Sequence, residues 1–334
     1  MTEKLPKPEV NPEQEEQDGL ERYYSEIVPD SICEANFKEW ESHLQEELDK
    51  KYKSFEEKAD AIKRAEEFIK TLPLFHGTDL DNLVNLTKTG SIKSNFISHK
   101  TGLKHESSGN TAHFDRENEL DHFVYFFVGY PKNIGWEVQM FLKPELLDNP
   151  KVRVSLEDHG WGTTNRLVEA RSRGLWPYKK GYNSPSSEPE STFEIQKSQI
   201  WRGPDFQRLL PLMLALSYDN PEEFHKETPV PSNLIPEGHL PILDDEYRPI
   251  PYFPKFEVRI PSSVATSDVL LVVYDRGFEY LALDEKVKRI EKEMEHRAFD
   301  TLRIPPGLTP EKREEIIREA VIKRMSKKTT DEKD

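Results

Sequence analysis

Three short segments, far apart along a chain of 334 residues, carry the side chains best able together to do chemistry. The first is His76-Gly77-Thr78, directly after the apolar pair Leu74–Phe75. A glycine there lets backbone come close to a flat polar group, and imidazole and hydroxyl add hydrogen-bonding atoms beside it. The second is Tyr125–Phe126, in the middle of the aromatic run His122–Tyr130; a phenol ring offers a face on which a cationic ring can stack. The third is Glu257, in Phe256-Glu257-Val258-Arg259-Ile260-Pro261. A carboxylate on a strand is held rigidly while Phe256 and Val258 pack the other way, and so placed it lowers the energy of a developing positive charge. Each piece alone also reads as ordinary structure. His-Gly-Thr serves as a turn and cap, a tyrosine among Phe and Val as core, and a strand glutamate as solvated face. The chemistry lies in the set.

The elements that must position these residues follow from periodicity. Leu74–Phe75 opens a strand, and Leu80, Leu83, Val84 and Leu86 predict a helix after it, capped by Thr78 or Asp79 and stopped at Gly90. His122–Tyr130 reads as a strand, as do Trp136–Leu142, a stretch near Val152–Leu156, Phe256–Ile260 and Val269–Tyr274. Ser98 to Asn118 and the Ser-, Pro- and Gly-rich Lys179–Pro189 read as loops, and Phe206–Tyr218 as a helix with Leu209, Leu210, Met213 and Leu216 inward. Ahead of them Phe37, Trp40, Leu44 and Leu48 begin a helical pattern that runs to Thr71 and stops at Pro73. After Asp284 the reading is a charged helix, a break at Pro305–Pro306 and a further helix from about Thr309. The expected layout is an acidic tail without order over 1–30, a helical extension over 31–72, a central domain over 73–285 and charged C-terminal helices over 286–334. Strands separated by long excursions make the class α+β.

The three segments, in this order and with these flanks, resemble the ADP-ribosyltransferase superfamily, in the His–Tyr–Glu branch shared by diphtheria toxin and the poly(ADP-ribose) polymerases. There an apolar strand ends in His-Gly-Thr or His-Gly-Ser, a second strand bears Tyr-Phe, and a Glu opens a third strand ahead of a Pro-containing turn. The resemblance covers about Leu74 to Leu283, and the long span between the second and third segments is similar to the DNA-modifying toxins of the DarT type. It implies a split β-sheet core, NAD as co-substrate and no metal. The activity implied is transfer of a single ADP-ribose, with release of nicotinamide, to a nucleic acid or protein. Glu257 would stabilise the ribosyl cation, whose oxocarbenium character is that of glycoside cleavage. Gly77 would approach the nicotinamide carboxamide, Tyr125 would stack on the pyridinium, and His76 would bond a ribose hydroxyl with Thr78 nearby. Arg116 stands in for the arginine that DarT-type enzymes place in the pocket. Lys255 occupies the position where arginine-modifying members carry Glu or Gln, so the resemblance does not extend to arginine as a target.

Bulk composition sets the background. The net charge is −15, from 47 basic and 62 acidic residues, so no general attraction for phosphate backbones exists, although a local basic groove is compatible with it. Cys33 is the only cysteine, which leaves neither an internal disulfide nor a cysteine zinc site. No apolar run reaches the length of a membrane span, and the expected setting is cytoplasmic. His99, His105, His113 and His122 match no metal-ligand spacing and read as solvated loop histidines. Two other functions stay open: an NAD-dependent RNA 2′-phosphotransferase, whose family also opens on His-Gly-Thr and needs basic residues around its pocket, and a catalytically silent binding module on the same fold.

Overall fold

The computed structural model describes residues 11–78, 89–103, 118–130, 138–156, 197–225, 233–236, 256–275, 300–305 and 307–331, together with residues 83, 116, 231, 288 and 292. The acidic start of the chain is a helix, α1 (Pro12–Arg22), and not the tail without order that its composition suggests. Asn11 caps it by accepting the Glu13 N–H at 3.1 Å, Pro12 pre-sets its first turn, and Glu13 and Glu15 suit its positive end. Burial of Glu16, Gly19 and Leu20 supplies the packing that composition alone did not reveal. A wide turn of π-helix, Tyr23–Ile27, leads to α2 (Asp30–Lys51) and α3 (Phe55–Ile69). The single pattern read from Ser31 to Thr71 is thus two helices, because Ser54 accepts the Glu57 N–H and starts a new one.

The strands are β1 (Leu74–Thr78), β2 (Ser91–Lys93), β3 (Phe123–Val128), β4 (Val138–Leu142), β5 (Arg153–Ser155), β6 (Ile200–Arg202), β7 (Glu257–Pro261), β8 (Ser263–Ala265), β9 (Val269–Asp275) and β10 (Thr301–Ile304). Eight of them form one mixed sheet in the order β10-β9-β4-β1-β3-β7-β5-β6, and β2 pairs with β8 apart from it. The protein is α+β. Helices α4 (Asn95–Lys100), α5 (Gly203–Ser217) and α6 (Pro310–Asp331) complete the described elements of that type. Strand β10, parallel to β9, falls where the sequence reads only helix and break. Its four residues are too few for alternation to speak, and it needs a finished sheet edge to pair with. The helix expected after Thr78 lies outside the described residues except at Leu83 and Thr89, which are helical.

The sheet parts at its centre. Between β1 and β3 the pairing is Leu74↔Val128 and Phe75↔Phe127, and it goes no further toward His76, whereas β1–β4 and β3–β7 pair along their whole length. One face packs on α2, α3 and α5. Trp40, Leu44 and Leu48 recur every fourth residue on α2, all fully buried, with the Trp40 ring edge-on to Trp201 at 4.9 Å. Val124, Phe126, Met140 and Val258 enter the same core from the strands. The opposite face has two covers. Residues Leu20, Tyr23 and Val28 lie on Phe123 and Ile200 at one end, and Ile317 and Val321 of α6 lie on Phe141 and Val273 at the other.

Candidate functional site

The segments singled out in the sequence become three adjacent strands, β1, β3 and β7, in the middle of the sheet. Tyr125 pairs with Arg259, and Phe127 pairs with both Phe75 and Glu257. Side chains at paired positions share a face and alternate along each strand. Gly77, Tyr125 and Glu257 therefore belong to the face that carries the two covers. His76 and Thr78 belong to the other: His76 pairs with Met140, and its ring lies 5.4 Å from that of Phe126 in the helical core. The structure thus brings Gly77, Tyr125 and Glu257 together and separates His76 and Thr78 from them. His76 still acts on the site through the split, because its Nδ1 donates to the Tyr125 carbonyl at 2.6 Å. A carbonyl can only accept, so this bond sets the tautomer. Arg116 is exposed ahead of β3, where its charge reaches Asp121, and Lys255 lies outside the described residues.

A row of polar residues crosses this face, all of which except Arg259, quoted with Glu257 in the third segment, escaped the sequence reading. Gln139 pairs with Gly77, Arg259 with Tyr125 and with Arg153, and Arg153 with Arg202. Three arginines thus occupy paired positions on one face, an arrangement that costs free energy unless anions answer it. Glu257 Oε1 lies 3.2 Å from Arg259 Nε, Asp30 2.5 Å from Arg153 Nη2, and Asp205 and Glu34 at 2.6 and 3.0 Å from Arg202. The signal was present: Arg259 stands two residues from Glu257, hence on its face, and Arg153 likewise from Ser155. Which strands lie next to each other was not readable.

Burial governs the electrostatics. Glu257 is 3% exposed and Arg259 fully buried. Burial works against the Arg259 charge, but Tyr23 and Glu257 outweigh it and hold its pKa above the usual value. Arg259 Nη1 donates to the Tyr23 hydroxyl at 3.0 Å, and burial pushes that phenol up. Tyr24 lies over Arg153, 4.7 Å from ring centre to guanidinium carbon. The Tyr125 hydroxyl donates to Leu120 O at 2.6 Å, which fixes the ring. Cys33, beneath this cover, is pushed up to about 11 by burial and stays a thiol. Gln139 is fully buried, and among the described residues neither of its amide atoms has a hydrogen-bond partner. Each such group costs on the order of 1–3 kcal/mol.

The cover over Glu257 is tuned by two contacts. Gly19 allows the His122 ring to pack against α1, since a β-carbon there would meet the ring nitrogen Nε2 at 2.1 Å. His122 is therefore buried and bonded to Glu119 at 2.8 Å, not the solvated loop histidine expected; His105 and His113 lie outside the described residues. Glu119, Asp121 and His122 hold ligand-type atoms within 4.8 Å of one another, but the Arg22 guanidinium already sits 2.7 Å from Glu119. The second contact is Glu16, which accepts from Ser94 and whose pKa burial raises from 4.5, against the pull of Ser94, His122, Ser262 and Lys93. A carboxyl with a raised folded pKa keeps its proton longer in the folded state, so stability falls as pH climbs from about 4.5 through the raised value. Thermal unfolding across that window should show a steeper loss for the wild type than for Glu16→Gln; identical slopes would remove Glu16 from this role.

Fold and site together define a mixed α+β protein with a split central sheet, carrying a buried acid–arginine row under an N-terminal cover. No family model and no curated protein matches the chain. Among solved structures it is similar to "Thermus sp. 2.9 DarT in complex with ADP-ribosylated ssDNA", at 12% identity and a TM-score of 0.37, over 70% of this chain and 93% of that one. A likeness that loose decides nothing about the site. Among the described residues no helix is long and apolar enough to cross a membrane.

Proposed function

We propose that the protein is an NAD-dependent ADP-ribosyltransferase that moves a single ADP-ribose to a macromolecule and releases nicotinamide. The observation that carries this reading is the convergence of Gly77, Tyr125 and Glu257 on one face of three neighbouring strands, beside the β1–β3 split. In the reaction the nicotinamide–ribose bond breaks and nicotinamide leaves with the bonding electrons. The ribosyl cation is then captured by a nucleophile of the acceptor, which gives up its proton. Glu257 stabilises the cation electrostatically in a water-poor setting, Tyr125 presents its ring to the pyridinium, and the Gly77 backbone borders the carboxamide. His76 is a positioning residue, holding the Tyr125 strand through its carbonyl. Arg259 replaces Arg116 as the arginine of the pocket, and the Arg259–Arg153–Arg202 row supplies the cations that a pyrophosphate or a phosphate backbone calls for. The acceptor is a nucleic acid or a protein.

The same arginine row favours a second reading, the NAD-dependent RNA 2′-phosphotransferase, which needs cations for an RNA phosphate. Incubation of the protein with adenylate-labelled NAD and a crude lysate separates the two. Label joined to nucleic acid or protein, with stoichiometric free nicotinamide, is the expected result. Mass spectrometry finding a cyclic phosphate on free ADP-ribose would establish the second reading, and intact NAD throughout would end both.

A further inference from the structure

We infer that Gln139 is the residue that reads the carboxamide of the nicotinamide ring, and so sets the specificity of the site for NAD over ring-modified dinucleotides. The inference rests on the NAD reading above and goes further by naming what recognises the leaving group.

Gln139 is an anomaly of this fold. It sits in the interior of β4 between β1 and β9, paired with Gly77 on one side and Val273 on the other, and it is fully buried. The residues sharing its face nearby are apolar: Phe141 two positions on along β4, Phe75 on β1, and Val273 and Leu271 on β9. A glutamine placed among them with both amide atoms lacking partners within the described part of the protein opposes folding. A leucine or methionine there would pack without that penalty. Other buried groups lack one partner, among them Trp201 Nε1 and His122 Nδ1, but Gln139 has both polar atoms of its side chain unmatched, and a buried amide left wholly open is a sign of a missing partner.

The position says which partner. Gln139 stands across from Gly77, where the absence of a side chain leaves the backbone of β1 approachable from that face. Continuing the Phe75↔Phe127 register puts Gly77 level with Tyr125, and Tyr125 pairs with Arg259. One line across the strands therefore runs from an amide through a glycine and an aromatic ring to a buried cation, with Glu257 one pair further along β7. A ligand with an amide, a cationic ring, a ribose and phosphates in that order matches the line end to end. An amide side chain offers one acceptor and two donors, and it meets a carboxamide with a reciprocal pair of hydrogen bonds. A site built to satisfy a buried polar pair rejects an analogue that lacks one member, because the unmatched group is then left dry and unpaired.

The test compares NAD with its 3-acetylpyridine analogue, whose methyl ketone keeps the acceptor and lacks the amide donors. Binding of both is measured by calorimetry on the full chain, wild type and Gln139→Met, a change that holds shape and removes the amide. The wild type should prefer NAD by about tenfold or more. The variant should lose that preference, because NAD forfeits two hydrogen bonds to the amide and the analogue only the one to its carbonyl, and should melt at a higher temperature. Gln139→Asn, which keeps the amide but withdraws it by one methylene, must show the same selective loss and serves if the first variant does not fold. Preference retained in either variant, or equal weakening for both nucleotides, overturns the role of Gln139 and leaves the NAD reading intact. A wild type that binds neither nucleotide overturns the NAD reading and this inference with it.

Discussion

Glu257→Gln slows the cleavage of NAD by about a thousandfold, with the fold retained. The magnitude is that of removing one preorganised electrostatic group from a site where charge develops. Glutamine has the same shape and still offers an oxygen toward Arg259, so what is lost is the negative charge. That charge stands on a strand, 3% exposed and 3.2 Å from Arg259 Nε, where little water screens it. Glu257→Ala is a poorer probe, since leaving Arg259 buried beside an empty space costs about 3–5 kcal/mol and confounds activity with unfolding. The measurement is nicotinamide release under single-turnover conditions, normalised to folded protein by circular dichroism. Wild-type turnover in a folded Glu257→Gln variant would sink the assignment of Glu257.

Trp40→Ala costs about 3–5 kcal/mol, enough to consume a large part of the stability of an ordinary domain. Trp40 is fully buried and edge-on to Trp201, whose strand β6 stands at the far edge of the sheet from β10. Deleting the indole opens a cavity between α2 and the sheet that neither can close, because α5 already packs on both. The chemical denaturation midpoint reads the loss. A shift of less than about 1 kcal/mol would mean that the α2 region behaves as an appendage and not as part of the core. The expectation for function is indirect: the same α2 carries Asp30 and Glu34, the anions set against Arg153 and Arg202. Loosening the helix loosens the cover over Glu257.

Periodicity and residue type alone delivered most of the central strands and α5. Phe123–Val128, Glu257–Pro261 and Val269–Asp275 lie within a residue or two of the runs of aromatic and β-branched residues that announce them. The α1 helix escaped because its side chains are mostly charged and its order comes from a few buried atoms at Glu16, Gly19 and Leu20, which composition does not weigh. Strand β10 escaped because four residues hold too little pattern.

By itself the sequence determined that Tyr125 and Glu257 sit on strands and that His76 and Gly77 follow directly on one, since local propensity and the period of two are properties of neighbouring residues; that β1 runs on through Thr78 came from its pairing with β4. It also determined that Glu257 and Arg259 share a face, for the same reason. Only the tertiary structure decided that β1, β3 and β7 lie side by side, that His76 turns to the helical core while Glu257 turns away, and that Gln139, Arg153 and Arg202 extend one line across the sheet. Those facts depend on strand order and register. Both are set by the burial of whole faces against helices distant in the chain, and no local pattern encodes which distant face that is.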